Sequence, residues 1–231
     1  EKESQLGGML RTAAAGPLTR EWRAFTRWHV RQIEKLGVKV RLGTEATKDL
    51  VAELAPDAVV IATGSVPDRD VPGAGEATVF TEEDVLLKGA AIGKKVVVIG
   101  GAFWDVETAI NLADQGKEVT LVREAESVSM NRLGPIRALP ILFGMLQARS
   151  VTPLFSTKVV AIETKGVRIV DSGGNAGFVE ADAVVLSTGR VANRRLLDEL
   201  HGVVADLHEI GDCVKPRCVA DAVYGGRLVG A

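Results

Sequence analysis

The sequence predicts an α/β protein of two domains sharing one parallel-sheet plan, and three features predict it. Short Val-rich runs ending in glycine alternate with longer stretches of helical period, the order in which strands and crossover helices follow one another in a parallel sheet. Glycine is abundant, 25 residues of 231, while aromatics make up only 4%, a balance that fits turn-rich nucleotide-binding architecture and not a fibrous or repeat protein. Finally, one segment occurs twice. Residues 57–67 read DAVVIATGSVP and residues 182–192 read DAVVLSTGRVA, identical at seven of eleven positions at an offset of 125 (182 − 57). This supports two copies of one supersecondary plan.

The elements follow in order. Residues 18–36 predict a helix, with Trp22, Phe25, His29, Ile33 and Leu36 at steps of three and four along one face. Gly37 stops it, and 38–42 reads as a strand. Residues 57–64 form a near-continuous apolar run, as for a strand buried on both faces of a sheet. Residues 94–100 (KKVVVIG) form another, followed by a helix over 106–115 and a strand over 118–122. A helix over 136–150 has Pro140 at an irregular start or kink. Runs at 158–162, 167–170 and 178–180, separated by Gly166 and Gly173-Gly174, predict a small antiparallel meander. The second apolar copy, 182–189, and a helix over 219–230 complete the chain.

The repeat also serves as a ruler. The glycine turn of the second copy begins at Gly100, 82 residues before Asp182, and the same distance before Asp57 falls at position −25, outside the chain. The counterpart of Arg123 falls at −2, beside Glu1. The expected division is therefore a first, FAD-type domain, incomplete at its N-terminus, over 1–89 and 191–231, with a second, NAD(P)-type domain inserted over 90–190.

Composition narrows the classes of function. Thirty acidic against 28 basic residues give a net charge of −2, which offers no bulk attraction to nucleic acid or an anionic membrane surface. No apolar run approaches the roughly 20 residues of a membrane span, and no secretory signal opens the chain. Two cysteines cannot staple a disulfide scaffold, so the expected location is the cytoplasm. The motifs GxSxG, HExxH and GxxxxGK[ST] do not occur, which leaves hydrolase and P-loop chemistry without support.

A Rossmann-like dinucleotide site needs glycines where the backbone turns tightly and approaches the pyrophosphate, a helix N-terminus for the phosphates, and an acid about 20 residues on for the ribose. After VVVI come Gly100, Gly101, Ala102, Phe103, Trp104 and Asp105. Only the first glycine of GxGxxG is in place: Ala102 holds the second site and Asp105 the third. Asp105 has two readings, an anion-repelling charge or a helix cap. Arg123, where the ribose acid is expected, also has two: a base for a 2′-phosphate or a solvated residue at a strand end. Trp104 either fills the nucleotide site or packs beside it. His29 reads as a packed core histidine, and no cluster has metal-ligand spacing. Arg23, Arg27, Arg31 and Lys35 make a basic helix stripe, either a solvated face or a dock for an acidic partner.

Segments along nearly the whole chain carry a resemblance: Glu1 with LGGMLR at 6–11, LGVKVRLGTEAT at 36–47, ATGSVP at 62–67, STGR at 187–190, and Ile210-Gly211-Asp212-Cys213 followed by Pro216-Arg217. In these the chain resembles the C-terminal flavoprotein portion of the trimethylamine dehydrogenase and 2,4-dienoyl-CoA reductase family. Those large oxidoreductases join an FMN barrel and an iron–sulfur cluster to paired dinucleotide domains. The resemblance implies FAD, or ADP in its place. Glu1 would meet the adenine ribose, Gly8, Arg11 and the turn Ala62-Thr63-Gly64 would line the adenine dinucleotide, and Asp212 would reach the flavin's sugar–phosphate portion, with Gly189 in the matching STGR segment. It further implies NAD(P)H at the Gly100–Ala102 turn in the reductase branch, or a vestigial second site and an electron-transfer flavoprotein partner in the dehydrogenase branch. FMN and a 4Fe-4S cluster would belong to an N-terminal barrel absent from this sequence.

The implied function is an FAD/NAD(P)-binding module of a flavin-dependent oxidoreductase. It would pass electrons between NAD(P)H or a flavoprotein partner and an attached FMN/iron–sulfur unit, with no general acid or base of its own. The alternative is a vestigial, ADP-holding docking module. The isolated chain is expected to be inactive. Cys213 and Cys218 share the C-x4-C spacing of redox-active pairs in related flavin disulfide reductases, but follow the GD motif with Pro216 between them. Two ordinary thiols are expected.

Overall fold

A computed structural model describes residues 1–16, 19, 21–76, 78–101, 104–125 and 139–230. The helices are α1 (Met9–Ala15), α2 (Glu21–Lys35), α3 (Lys48–Leu54), α4 (Glu82–Leu86), α5 (Trp104–Asp114), α6 (Leu139–Ala148), α7 (Arg195–Leu200) and α8 (Val219–Val229). The strands are β1 (Val59–Ile61), β2 (Ser65–Pro67), β3 (Val79–Thr81), β4 (Lys95–Gly100), β5 (Glu118–Arg123), β6 (Thr152–Leu154), β7 (Thr157–Glu163), β8 (Gly166–Asp171), β9 (Ala176–Glu180), β10 (Ala183–Ser187), β11 (Arg190–Ala192) and β12 (Leu207–Glu209). Two compact units result. Unit 1 comprises Glu1–Met9, Ala24–Val66 and Arg190–Ala231; unit 2 comprises Leu10–Arg23 and Pro67–Gly189. Among the described residues no helix is long and apolar enough to cross a membrane.

Unit 2 is built on a five-stranded parallel sheet in the order β3-β10-β4-β5-β6. Successive side chains of a strand face opposite ways, and here both faces are covered. Val96, Val98, Leu121 and Val185 join Val106, Ala109 and Ile110 of α5 and Leu142 and Leu146 of α6. Val97, Ile99, Val122, Val184 and Leu186 pack with Ile162 and Val167 of the antiparallel meander β7-β8-β9. A strand with two dry faces has no polar alternation, which is why β4 and β10 read as unbroken apolar runs. Asp182 ties the start of β10 to β4: its carboxylate accepts the backbone N–H groups of Lys94 and Lys95, both at 2.8 Å, and these bonds lower its pKa. In the meander a side chain on Gly166 (φ 151°) would strike the Val179 carbonyl, so that turn requires glycine.

The unit boundary departs from the expected 1–89/90–190 division. Residues 67–89 fall in unit 2 because β3 pairs with β10, Val79 opposite Val184 and Thr81 opposite Leu186. The segment Leu10–Arg23 also belongs there.

Unit 1 is thinner. β1 pairs in parallel with β12 alone, Val59 opposite Leu207 and Ile61 opposite Glu209. Its core is Ile61, Leu196, Leu197 and Leu200 of α7, and Cys213. Two expectations fail here. The apolar run at 57–64 yields a strand of three residues, and its central Val60 is 43% exposed, because no sheet or helix covers its outer face. The strand predicted at 38–42 does not form; Val38, Val40 and Leu42 are exposed. This stretch instead meets the first residues, with Glu1 N–H donating to Arg41 O and Gly43 N–H to Glu3 O, both 3.0 Å. No residue of α2 is buried, so His29 is not a core histidine. Its Nδ1 lies 3.0 Å from Phe25 O, and its ring stacks against Phe25 of the same helix, centroids 4.2 Å apart.

The sequence repeat reappears as paired contacts. Thr63 Oγ1 donates to Asn193 O at 2.7 Å, and Thr188 Oγ1 donates to Asp68 O at 2.9 Å. Asn193 N–H donates to Gly64 O, and Asp68 N–H to Gly189 O, both at 3.0 Å. Each second contact is the first moved by 125 residues with the copies exchanged, and β2 pairs with β11, its own repeat counterpart.

Candidate functional site

Open parallel sheets bind ligands outside the carboxyl ends of their strands, where strand order reverses. In unit 2 this point lies between β4 and β10. Gly100 and Gly101 are there, and α5 starts at Trp104; Ala102 and Phe103 lie outside the described residues.

The turn is filled by the protein itself. Arg123, opposite Gly100 at the end of β5, places Nε 3.0 Å from Asp105 Oδ2, with the side chains 3% and 0% exposed. The two atoms are close but misaligned for a hydrogen bond: Oδ2, Nε and Nη1 all lack a hydrogen-bond partner. The contact is a charge pair in a dry site. Asp105 Oδ1 accepts the Val106 N–H at 2.6 Å. Burial pushes the Asp105 pKa up to about 6, opposed by the attraction of Arg123.

These facts correct both readings of Arg123: it is neither solvated nor presented to a 2′-phosphate. They also change the reason for Gly100, since a Cβ there would collide with the Asp105 carboxylate. The missing side chain makes room for Asp105. A Cβ on Gly101 would come within 3.3 Å of the Thr188 carbonyl oxygen.

Other carboxyl groups crowd the same region. Glu107, one step into α5, is buried; its Oε1 lies 2.8 Å from Thr19 Oγ1, and a side chain on Gly16 would strike it. Ser187, the last residue of β10, hydrogen-bonds buried Glu82 of α4. Helix N-termini attract anions through free N–H groups and the dipole, but here carboxyl groups already occupy that end. The residues present do not fit the pyrophosphate of NAD(P).

Unit 1 contains a different arrangement. The turn Ala62-Thr63-Gly64 follows β1, with Gly64 at φ 71°, and Asp212 lies in a 3-10 turn, Gly211–Cys213, after β12. Cys213 fixes that turn by donating its thiol to Ile61 O at 3.2 Å and Ile210 O at 3.0 Å. Asp212 Oδ1 accepts the Arg217 N–H, and Oδ2 accepts the Ser65 hydroxyl, both at 3.1 Å. Arg190 donates through Nε to Ser65 Oγ at 2.9 Å and through Nη2 to Ser65 O at 2.6 Å. Glu1 is exposed and turns its carboxylate back on Glu3 N–H at 2.9 Å. Gly8 (φ 46°) has open space where a side chain would stand.

The expected site residues thus divide. Glu1, Gly8, Ala62, Thr63, Gly64 and Asp212 belong to unit 1; Arg11, Gly100, Gly101, Arg123 and Gly189 belong to unit 2. Sequence reasoning missed Ser65 and Arg190 as partners of Asp212, and Asp105 as the partner of Arg123. The first omission was recoverable, since Ser65 and Arg190 hold the same position of the repeat. Both cysteines are free; Cys218 donates separately to Asp221 Oδ2 at 2.9 Å.

A family model described as pyridine nucleotide-disulphide oxidoreductase matches residues 32–210. The chain is 28% identical over 226 residues to cinnamate reductase of Clostridium sporogenes, covering 97% of this chain and 34% of that protein. It is 32% identical over 235 residues to NADH oxidase of Thermoanaerobacter brockii, covering 98% and 35%. Among solved structures, 2-naphthoyl-CoA reductase in complex with 2-naphthoyl-CoA superposes with a TM-score of 0.91 at 31% identity, over 99% of this chain and 35% of that one. Histamine dehydrogenase of Rhizobium sp. 4-9 shares the fold with a TM-score of 0.88 at 22% identity, over 99% and 37%. The chain spans about a third of the length of these relatives.

Proposed function

Because this chain belongs to the pyridine nucleotide-disulphide oxidoreductase family, in its branch of large trimethylamine dehydrogenase-like flavin oxidoreductases, we propose that it is the FAD-holding module of such an enzyme, with electrons exchanged through a flavoprotein partner and an attached FMN/iron–sulfur unit. The observation that carries this reading is the contrast between the two candidate sites. In unit 1 the Asp212 carboxylate is held on both oxygens by Ser65 and Arg217, beside a turn opened by Gly64. Such a fixed acceptor suits a hydroxyl-rich sugar–phosphate chain. Glu1, Gly8, Ala62, Thr63 and Gly64 are the further residues that would hold the nucleotide. FAD, when bound, supplies the acceptance and release of electrons, and the protein supplies binding and orientation.

At the second turn the buried Asp105–Arg123 pair opposes NAD(P), so no hydride step is assigned there. The same filled turn favours a second reading, a docking module that holds ADP in place of FAD. Nucleotide extraction from the full-length parent, followed by titration with NADH and NADPH, tests both. FAD in the extract with no NAD(P)H oxidation is the expected result. ADP alone supports the docking module. NAD(P)H oxidation by the native protein that Arg123→Met changes would overturn the assignment of the second turn.

A further inference from the structure

We infer that Arg190 and Ser65 are the positioning pair for Asp212, a role created where the two copies of the repeat diverge. The inference rests on the reading of unit 1 as the FAD-holding unit. Ser65 and Arg190 are equivalent residues, 125 positions apart, and they touch. At the neighbouring equivalent positions the copies make reciprocal contacts, threonine hydroxyl to backbone carbonyl and backbone N–H to glycine carbonyl. At this position exchange cannot be reciprocal, because a serine faces an arginine.

The chemistry of the two groups fixes the direction of the chain of bonds. Guanidinium N–H groups only donate, and a carboxylate only accepts. Arg190 Nε donates to Ser65 Oγ at 2.9 Å, so the single hydroxyl proton of Ser65 is left for Asp212 Oδ2 at 3.1 Å. The second arm of the fork, Nη2 to Ser65 O at 2.6 Å, holds the serine backbone as well. A planar two-armed donor constrains both position and orientation. With Oδ1 taken by the Arg217 N–H, the carboxylate plane is defined from both sides, and its remaining lone pairs face whatever hydroxyl the site receives. Arg190 thus acts on the ligand through Ser65 and Asp212 without touching it.

The test measures FAD affinity and the FAD reduction potential in the full-length parent for Arg190→Met, Ser65→Ala, Asp212→Asn and the double variant Arg190→Met/Asp212→Asn. Thr188→Val, which removes a linker hydrogen bond that does not lead to Asp212, serves as the structural control. Loss of one charge-assisted link predicts about tenfold weaker FAD binding for Arg190→Met. On the Asp212→Asn background the same substitution is expected to have no further effect, since residues in one network are non-additive. Arg190→Lys, which keeps one donor, is expected to recover part of the affinity. Additive effects of Arg190→Met and Asp212→Asn, or an equal loss in Thr188→Val, would reduce Arg190 to a structural residue and overturn the inference. Weakened binding in Asp212→Asn with Arg190→Met unchanged would also overturn it, leaving the reading of unit 1 intact. A parent that binds no FAD would overturn both.

Discussion

The two copies of DAVV begin as the same sequence and end as different strands. In the second, β10 is buried along its whole length between β3 and β4. In the first, β1 keeps three residues, a single neighbour and a half-exposed centre. Asp182 staples β10 to β4 through two backbone N–H groups, whereas Asp57 stands exposed before β1. Four identical residues therefore do not specify a buried strand. The layers placed on either side of them do, because β preference is largely a measure of what packs on the pleat. The same contrast extends to the candidate sites: the well-packed copy has filled its turn with a charge pair, and the thin copy keeps a positioned carboxylate and an open turn.

The largest test of this contrast is Arg123→Met. It leaves the Asp105 carboxyl buried without its partner, and the expected loss is about 4 kcal/mol by urea denaturation. The double variant Arg123→Met/Asp105→Ala is expected to recover most of it, because it removes both buried charges. A loss of under about 1 kcal/mol would mean that the turn is open enough to hydrate Asp105, and the filled-site account would fail.

The pH dependence is next in size. The folded-state pKa of Asp105 is pushed up to about 6 from an ordinary 3.8, so the folded chain holds this proton more tightly than the unfolded one. The resulting stabilisation is fully present below about pH 4 and is lost as pH rises through 6. Relative to Asp105→Asn, the wild-type chain is expected to lose about 2 to 3 kcal/mol between pH 4 and 7. A difference between the two proteins that is flat over this range would show that the carboxyl is hydrated or ionised throughout.

The smallest effect compares the strands directly. Val185→Ala removes a fully buried side chain from β10, at a cost of about 2 kcal/mol. Val60→Ala on β1, 43% exposed, is expected to cost under about 0.5 kcal/mol. Equal costs would indicate that unit 1 buries Val60 in solution.

Much of unit 2 was legible in the sequence. The alternation of apolar runs and helical stretches gave its parallel strands, the glycine-separated runs gave the meander, and β8 and β9 lie where Gly166 and Gly173-Gly174 put them. These signals are local: a period, a turn residue, a run with two dry faces. Unit 1 was read less well because its elements depend on distant partners. The apolar periodicity of α2 predicted a covered face, yet Trp28 is 57% and Leu36 78% exposed. The candidate sites follow the same rule. The damage to the glycine motif was visible in Ala102 and Asp105, but not the partner of Asp105, since 18 residues separate it from Arg123 and only the pairing of β4 with β5 brings their ends together. Asp212 was named from its motif, whereas its support by Arg190 required the folded contact between the repeat copies.

The discontinuity of unit 1 also has a consequence for synthesis. Its strand pair joins Val59 to Leu207, 148 residues apart, while the sheet of unit 2 is complete once β10 has been made. On a ribosome adding about 5–20 residues per second, β1 waits roughly 7–30 seconds for β12 to be made. During that interval unit 2 already has every strand of its sheet. Translation rate and chaperone access therefore bear on the half of the molecule that carries Asp212, and a slow stretch of codons just before β12 would lengthen the exposure of β1 without touching the sheet that forms first.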